Sequence, residues 1–353
     1  MIKYLGSKRR LVPLLARAAA ACTGARTALD LFSGTARVGQ ALKRLGLRVH
    51  ANDHNAYAHT IATCYVAADA RRWGARAARL VAELDELPGR AGWFTHTYCE
   101  SARYLHPGNG ARVDAIRARI ARLELEPELE AIALTSLLEA ADRVDSTVGL
   151  QMAYLKRWAA RALQPLRLRV PELLPGAGSA SCLDAAEAAA RFPADLAYLD
   201  PPYNQHSYLG NYHVWETLVR WDRPEVYGVA RKRTDVRARA SAFNRRAGIE
   251  PALNEVLARV RARWLIVSFN DEGYLPLPRL RELLAGHGAV RELAVAQPRH
   301  IGHRIGVFNL RGERVGTPGA AVNHEHVFVV ACGGARAARA AERVARAAVA
   351  AGA

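Results

Sequence analysis

The chain has 353 residues, half of them hydrophobic, so it is long enough for one large domain or for a catalytic domain with a smaller insert. Its net charge of +17 favours a polyanionic partner, nucleic acid above all, although only five basic residues are lysines and a coding bias towards arginine would give the same surplus. The lack of a run of about 18 apolar residues excludes a membrane span, and five scattered cysteines exclude a disulfide framework or a zinc motif, which predicts a reduced, cytoplasmic protein without a bound metal.

The first part of the chain predicts a strand-helix-strand unit followed by a helical region. The apolar run Thr27–Phe32 predicts a buried strand, Ala36–Leu45 has helical spacing, and Leu47–Asp53 predicts a second strand. This order is typical of a parallel sheet in an α/β fold. Residues 66–165 are rich in Ala, Arg, Leu and Glu with helical periodicity, which predicts a mainly helical insert.

The second part of the chain predicts the rest of the sheet. The expected elements are strands at Leu166–Val170, Leu196–Asp200, Trp264–Phe269, Val290–Ala296 and Val327–Ala331, and a helix at Leu277–Ala285. Between them, Arg231–Arg246 is rich in arginine and poor in apolar residues, which predicts a mobile basic loop. Residues 335–353 predict either a solvated helix or a frayed tail. We therefore expect residues 1–65 and 166–331 to form the catalytic domain.

The tetrapeptide Asp200-Pro201-Pro202-Tyr203 directly follows a predicted strand, and the carboxyl ends of parallel strands are where ligands bind. The prolines fix the backbone, so the Asp200 carboxylate and the Pro201 carbonyl can accept both hydrogens of one amino group. Such a pair favours a tetrahedral nitrogen whose lone pair faces an incoming methyl group, and Tyr203 offers a ring on which a base can stack. A Pro-Pro turn that only ends a strand is the alternative explanation for this tetrapeptide taken alone.

A glycine turn follows the first predicted strand, in the run Asp30-Leu31-Phe32-Ser33-Gly34. Gly34 permits close approach of the backbone to a ligand, and Asp53 follows the second strand, where an acid can accept from ribose hydroxyls. Taken singly, the turn can be only a turn, and Asp53 can cap the next helix. In the order glycine turn, acid and Asp-Pro-Pro-Tyr, these motifs indicate a nucleoside cofactor beside a site for an amino group.

The order of motifs resembles the Dam-like (α-group) adenine DNA methyltransferases, and within them the branch that partners type IIS restriction enzymes. The resemblance covers residues 1 to about 331, thinly across 66–140, and is carried by K-Y-L-G-S-K at 3–8, L-D-L-F-S-G-T-A at 29–36, A-N-D-H-N at 51–55, and the segments 153–156, 200–217, 268–273, 303–309 and 325–328. It implies a Rossmann-like sheet that binds S-adenosyl-L-methionine. It also implies direct methyl transfer to N6 of an adenine flipped out of double-stranded DNA, with a cognate restriction endonuclease as a candidate partner and the insert 66–165 as a candidate target-recognition region.

The resemblance also implies roles for individual residues. The catalytic residues, which hold the adenine, are Asp200, Pro201, Pro202 and Tyr203. The residues around the cofactor are Tyr4, Gly6, Lys8, Asp30, Phe32, Gly34 and Asp53, together with Asp184 in a short acidic turn. The chain departs from the family pattern at Ala36, where a glycine is usual, and the effect of this change on cofactor binding is open.

Arginine-rich segments are the candidates for contact with DNA, because arginine suits phosphate contacts and guanine readout. The candidate residues are Arg231, Lys232, Arg233, Arg299 and Arg304, the last two beside His300 and His303. For each of them taken alone, a solvated surface position is the default interpretation. The sequence identifies no residue that would fill the gap left by a flipped base.

Two other functions stay open at the level of sequence. An RNA or protein amino-group methyltransferase would share a similar Pro-Pro turn, and a catalytically inactive relative would keep only DNA binding. Asp200, the N-terminal K-Y-L-G-S-K and the long insert favour adenine in DNA. The intact Asp200, Tyr203 and Gly34 argue against an inactive protein.

Overall fold

A seven-stranded sheet forms the centre of the fold, which confirms the predicted α/β class. The computed structural model describes residues 1–151, 157–298, 307–308, 314–316, 322–334 and 336–350. Within these ranges the strands are β1 (Thr27–Asp30), β2 (Arg48–Asn52), β3 (Gly178–Ser181), β4 (Leu196–Leu199), β5 (Val226–Tyr227), β6 (Lys232–Arg233), β7 (Trp264–Asn270), β8 (Ala289–Pro298), β9 (Val307–Phe308), β10 (Arg314–Gly316) and β11 (Val322–Ala331). The α-helices are α1 (Val12–Ala21), α2 (Arg37–Arg44), α3 (Ala56–Ala62), α4 (Ala70–Asp85), α5 (Pro107–Arg122), α6 (Pro127–Arg143), α7 (Ala185–Arg191), α8 (Tyr208–Asn211), α9 (His213–Arg220), α10 (Ile249–Arg259), α11 (Leu277–Ala285) and α12 (Ala337–Val349).

The central sheet has the strand order β3-β2-β1-β4-β7-β11-β8. The first five strands are parallel, and β11 runs antiparallel to both of its neighbours, β7 and β8. The chain runs outwards from β1 through β2 to β3 and later returns to the other side of β1 with β4. The strand order therefore reverses between β1 and β4, and the carboxyl ends of these strands border the crevice where ligands bind in open α/β sheets.

Side chains alternate between the two faces of the sheet, as the period of a strand requires. On β4, Leu196 and Tyr198 join one hydrophobic core, whereas Ala197 and Leu199 join a second core on the opposite face. The first core also includes α1 to α6, α9 and α12, and the second includes α7, α10 and α11. The helices within the predicted helical region 66–165 therefore share a core with the sheet.

Most predicted elements are confirmed, although their ends shift. The confirmed elements are the strands at Thr27–Phe32, Leu47–Asp53, Leu196–Asp200, Trp264–Phe269, Val290–Ala296 and Val327–Ala331 and the helices at Ala36–Leu45 and Leu277–Ala285. No helix in the described ranges is long and apolar enough to cross a lipid bilayer.

The strand predicted at Leu166–Val170 does not form, and that prediction is wrong. The backbone of this segment bonds to helix side chains instead. The N–H of Leu166 donates to Asn109 Oδ1 (2.9 Å), and the N–H of Leu168 donates to Asp85 Oδ1 (2.8 Å). Alternating buried leucines therefore imitate a strand here, whereas the actual third strand, β3, has almost no apolar side chains and produces no recognisable pattern.

The segment Arg231–Arg246 contains β6 and two short 3₁₀ helices, Thr234–Val236 and Ala242–Asn244, so the prediction that all of it is a loop is wrong. It begins in the hairpin formed by β5 and β6. The Arg233 side chain is 1% exposed, and its guanidinium donates to Asp222 and Asp235 at 2.7 and 2.9 Å. Because its donors are directed into the protein, the prediction that Arg233 contacts DNA is also wrong.

The C-terminal segment is neither a solvated helix nor a frayed tail over the residues described. Helix α12 packs against α1 and β8, and Val344 and Ala348 are fully buried in the first core. The Arg17 Nε also donates to the carbonyl of Ala348 at 2.7 Å. The Ala-rich sequence did not indicate an amphipathic helix, because each alanine buries little apolar area. Alanines at helical spacing nevertheless allow helices to pack closely.

Candidate active site

A cleft opens at the carboxyl ends of β1, β2 and β4, at the point where the strand order reverses. Counted out to its open mouth, the space between its walls is about 610 Å³. The structure brings together many of the residues predicted from sequence. Those that line the cleft are Tyr4, Gly6, Lys8, Asp30, Phe32, Gly34, Asp53, Asp200 and Pro202.

Asp30 ends β1 and lies on the floor of the cleft, where its side chain is 1% exposed. Its Oδ2 accepts the backbone N–H of Gly39 at 2.8 Å, and its Oδ1 has no partner among the described residues. A Cβ at Gly39 would lie 2.8 Å from Oδ2, so this close approach requires glycine. Burial raises the pKa of Asp30 to about 7 because it disfavours the charged form.

The glycine turn after β1 is tied to the end of β2 by Asp53. The N–H of Gly34 donates to Asp53 Oδ2 (3.0 Å), and Asp53 Oδ1 accepts from the backbone N–H of Asn55 (3.0 Å). Gly34 has a φ of +50° and lies under the ring of Tyr4, where an added Cβ would be 3.2 Å from the ring. The turn therefore needs glycine both for its dihedral angles and for its packing.

Ala36, where the family pattern has glycine, adopts a left-handed conformation with φ +56° at the start of α2. Its methyl group is completely buried in the first core and does not line the cleft. The cost of this alanine is therefore backbone strain, on the order of 1–2 kcal/mol for a residue with a Cβ. The methyl group does not narrow the space available to a ligand.

Stacked tyrosines form one wall of the cleft. The ring of Tyr4 stacks between those of Tyr208 and Tyr212, with centroid distances of 5.1 and 4.7 Å. The hydroxyl of Tyr4 lies 3.1 Å from that of Tyr57. This wall connects the N-terminal segment to α3, α8 and α9 and fixes the position of the chain that leads to Lys8.

The buried side chain of Lys8 lies between two carboxylates, one of which is that of Asp200 at the start of the Asp-Pro-Pro-Tyr turn. Lys8 Nζ lies 3.1 Å from Asp200 Oδ1 and 3.1 Å from Glu325 Oε2 on β11. The second oxygen of Glu325 accepts from Asn270 Nδ2 at 3.3 Å. The pKa of Asp200 is raised to about 6, because burial and the negative charge of Glu325 together outweigh the opposing charge of Lys8. Glu325 was not among the site residues predicted from the sequence, although the strand that carries it was part of the family resemblance.

The other predicted site residues lie around the cleft or outside it. Tyr203 is half-buried, with its ring 5.7 Å from that of Phe269 and 5.9 Å from Lys8 Nζ, and it does not line the cleft. Asp184 is the N-cap of α7, where its Oδ1 accepts from the N–H of Ala186 at 2.8 Å, and it does not line the cleft. Pro201 is buried. The predicted candidates Arg299, His300, His303 and Arg304 lie outside the described residues.

Unpartnered polar atoms converge on the cleft. Among the described residues, the buried side-chain atoms that lack a hydrogen-bond partner and belong to cleft residues are Asp30 Oδ1, Ser33 Oγ, Arg37 Nε and Asn55 Oδ1. Buried polar atoms usually have partners, so this concentration indicates that a polar ligand completes the set. Ser33, Arg37 and Asn55 were not predicted as site residues, although each lies within or next to a recognised motif.

Comparison with known proteins identifies a family and several relatives that this chain resembles in sequence. Residues 4–245 match the family described as D12 class N6 adenine-specific DNA methyltransferase. Type II methyltransferase M.FokI of Planomicrobium okeanokoites is 30% identical over 279 residues, which are 74% of this chain and 43% of that protein. Type II methyltransferase M.NlaIII of Neisseria lactamica is 27% identical over 81% of this chain and 89% of its own length. Modification methylase LlaI of Lactococcus lactis subsp. lactis is 25% identical over 80% of this chain and 48% of its own length. The chain thus spans less than half of two of these relatives.

Proposed function

Because this chain belongs to the family of D12 class N6 adenine-specific DNA methyltransferases, we propose that it transfers a methyl group from S-adenosyl-L-methionine to the N6 amino group of adenine at a specific site in double-stranded DNA. The observation that carries this proposal is the position of Asp200. Its carboxylate lies in the cleft beside Lys8 and faces the same space as the unpartnered polar atoms of the glycine turn. One cleft can therefore hold a nucleoside cofactor and an amino group side by side.

The polar atoms of the cleft fit S-adenosyl-L-methionine, a ligand with both donors and acceptors. Asp30 Oδ1 and Asn55 Oδ1 are free acceptors, and Arg37 Nε is a free donor among the described residues. We assign the hydroxyl-bearing part of the cofactor to Asp53 and its surroundings at the end of β2. When bound, the cofactor supplies a methyl group on a positively charged sulfur. The acidic side chains Asp30, Asp53 and Asp200 favour a cation in this cleft.

The residues of the Asp-Pro-Pro-Tyr turn orient the amino group. In its ionised form the Asp200 carboxylate accepts one N–H of the adenine, and the Pro201 carbonyl accepts the other, which directs the nitrogen lone pair towards the methyl group. Lys8 favours the ionised form of Asp200 by its charge. The methylated nitrogen then has to lose one proton, and Asp200, whose pKa burial raises to about 6, accepts it before solvent removes it. We assign to Tyr203, at the end of this turn, the ring on which the base stacks.

We propose that the hairpin of β5 and β6 contacts the duplex. Its tip carries Val229, which is 70% exposed, and Arg231 near the tip has no ion pair among the described residues. A chain of hydrogen bonds links the tip to the cleft. The hydroxyl of Tyr104 lies 2.9 Å from the carbonyl of Ala230 and 2.8 Å from that of Gln151. The N–H of Gln151 in turn donates to the carbonyl of Asn211, the last residue of α8. Since α8 begins at a cleft residue, the exposed apolar tip lies where it can approach a duplex whose adenine occupies the cleft.

The test is methylation of unmodified genomic DNA by the purified protein with S-adenosyl-L-methionine, followed by sequencing that detects N6-methyladenine. We expect methylated adenines within one short motif, and no methylation with Asp200→Asn, which keeps the shape of the side chain. Transfer to RNA only would replace the proposal with RNA methylation. Binding of DNA without binding of S-adenosyl-L-methionine would indicate an inactive relative.

We also propose that methylation protects DNA from a cognate restriction endonuclease, because the relatives are named type II methyltransferases and modification methylases. DNA methylated by this protein should resist cleavage by an endonuclease of the same recognition motif, once that motif has been read from the sequencing experiment. Equal cleavage of methylated and unmethylated DNA would refute this role.

A further inference from the structure

Arg37 is an unpaired cation in the proposed cofactor cleft. It is the first residue of α2, directly after the glycine turn, and its half-buried side chain lines the cleft. Its Nε is buried and has no hydrogen-bond partner among the described residues, and none of their carboxylates forms an ion pair with it. The other cationic side chain that reaches deep into the cleft, Lys8, is already bound to Asp200 and Glu325.

The surroundings of Arg37 do not explain a cation at this position. Burial and the charge of nearby Arg9 lower the pKa of the Arg37 guanidinium and so disfavour its charge, and the smaller opposing effects of Tyr65 and Glu139 do not offset them. A positive charge in the first turn of a helix also opposes the helix dipole. A half-buried guanidinium without an anion is costly, and a bound anion would offset that cost.

Charges of both signs line the cleft. The carboxylates of Asp30, Asp53 and Asp200 lie at the ends of the strands, and Arg37 lies at the start of α2. A ligand that is an amino acid at one end, with one ammonium and one carboxylate group, offers a partner to charges of both signs.

From the unpartnered donor of Arg37 in this cleft, and on the basis of the function proposed above, we propose that Arg37 binds the carboxylate of the methionine part of S-adenosyl-L-methionine. The guanidinium donates charge-assisted hydrogen bonds to the carboxylate oxygens, which anchors the amino-acid end of the cofactor. A contact between Arg37 and a DNA phosphate is the competing assignment.

The test compares two ligands that differ in the amino-acid part. S-adenosyl-L-homocysteine has the carboxylate, and 5′-methylthioadenosine lacks the whole amino-acid moiety. Dissociation constants are measured by calorimetry for the wild type, Arg37→Ala, Arg37→Lys and the control Arg9→Ala, which removes a neighbouring exposed cation. We expect Arg37→Ala to weaken S-adenosyl-L-homocysteine about 10- to 100-fold, the range for charge-assisted hydrogen bonds, and to leave 5′-methylthioadenosine within about twofold. Arg37→Lys should be intermediate, and Arg9→Ala should change neither constant.

Each other result overturns the assignment. Equal weakening of both ligands means that Arg37 shapes the cleft without binding the carboxylate. Unchanged S-adenosyl-L-homocysteine binding together with weaker binding of duplex DNA assigns Arg37 to a phosphate. If the wild type binds S-adenosyl-L-homocysteine no more tightly than 5′-methylthioadenosine, the inference fails while the cofactor proposal stands. If it binds neither, both fail.

Discussion

Asp30 and Asp200 both ionise in the buried cleft, but they have different partners. Asp200 has the charge of Lys8 beside it, and its pKa is raised to about 6, so it is largely ionised at neutral pH. Among the described residues, Asp30 has only the N–H of Gly39 as a partner, and its pKa is raised to about 7. The sequence predicts that both acids belong to the site, because motif position sets their location. It does not predict how strongly they ionise, because that depends on burial and on Glu325, which is 317 residues from Lys8.

The rate of methyl transfer should fall as the pH decreases through about 6, because a protonated Asp200 is a weaker acceptor for an N–H of the adenine and cannot take up the proton that the methylated nitrogen loses. Glu325→Gln removes a negative charge that raises the pKa of Asp200, so the same decrease should occur at lower pH in that variant. Single-turnover rates between pH 5 and pH 8 measure both curves. Superimposable profiles for the wild type and Glu325→Gln would show that Glu325 does not act on Asp200.

Asp30→Asn should stabilise the fold at neutral pH. The unfolded carboxyl ionises near pH 4 and the folded one near pH 7, so the wild type loses stability between these values and then levels off. The variant avoids this loss, which is roughly 4 kcal/mol if the full shift applies. Chemical denaturation at pH 4 and pH 8 should give nearly equal stabilities at pH 4 and a more stable variant at pH 8. An equal difference at both pH values would show that ionisation of the buried carboxyl is not its cause.

Ala36→Gly should change the free energy of unfolding by less than about 1 kcal/mol, because relief of the left-handed strain is offset by loss of a buried methyl group and by the flexibility of glycine. The affinity for S-adenosyl-L-homocysteine should stay within about threefold, since the methyl group points away from the cleft. Denaturation and calorimetry on the same samples measure both quantities. A large gain in affinity would mean that the alanine distorts the turn after all.

At the scale of secondary structure elements, prediction succeeded where apolar spacing and burial agree, as in β4 and β7, whose residues are all buried. It failed where partners are distant in sequence. The segment 166–170 bonds to Asp85 and Asn109, and the order of 231–246 depends on acids such as Asp222 and on Glu216, a fully buried residue that accepts from Arg239 at 2.8 Å. The composition of a segment shows its own charge, but it does not show which oppositely charged residues from elsewhere in the chain will pack against it.

Arg231→Ala and Arg233→Ala form a matched pair of variants on neighbouring positions of the hairpin. Loss of Arg231 should weaken duplex binding and reduce the slope of log affinity against log salt by about 1, with unchanged stability. Loss of Arg233 should lower the free energy of unfolding by roughly 3 kcal/mol. This is the lower end of the range for breaking a buried ion pair, because the partners Asp222 and Asp235 are partly exposed. Binding titrations at several salt concentrations and denaturation distinguish the two. An unchanged salt slope for Arg231→Ala would remove it from the DNA interface.

At the scale of the whole molecule, the helices of the region 66–165 and one face of the sheet share a single hydrophobic core. The sequence could not show this, because helices that pack on the sheet and helices that form a separate domain have the same apolar periodicity. Trp73 on α4 and Trp264 on β7 both belong to this core. The recognised family, by contrast, follows from the motifs and is confirmed over residues 4–245.

The shared core predicts that sheet and helices unfold together. Two variants that each keep one tryptophan, Trp73 or Trp264, should show coincident fluorescence transitions in denaturant, and both should match the loss of helical circular dichroism. The remaining tryptophans are replaced by phenylalanine in each variant, and both variants must retain binding of S-adenosyl-L-homocysteine. An earlier transition for Trp73 alone would show that the helical region is an independent unit.

The contact of Lys8 with Glu325 has a consequence for the making of the protein. The two residues are 317 positions apart, and Asp200 lies between them in the chain and beside Lys8 in space. During translation, Lys8 therefore emerges from the ribosome long before β11, the strand that carries Glu325, has been synthesised. Until β11 has paired with β7 and β8, Lys8 has Asp200 but not Glu325 as a partner. The cluster of Lys8, Asp200 and Glu325 is therefore complete only after the chain has been translated past β11.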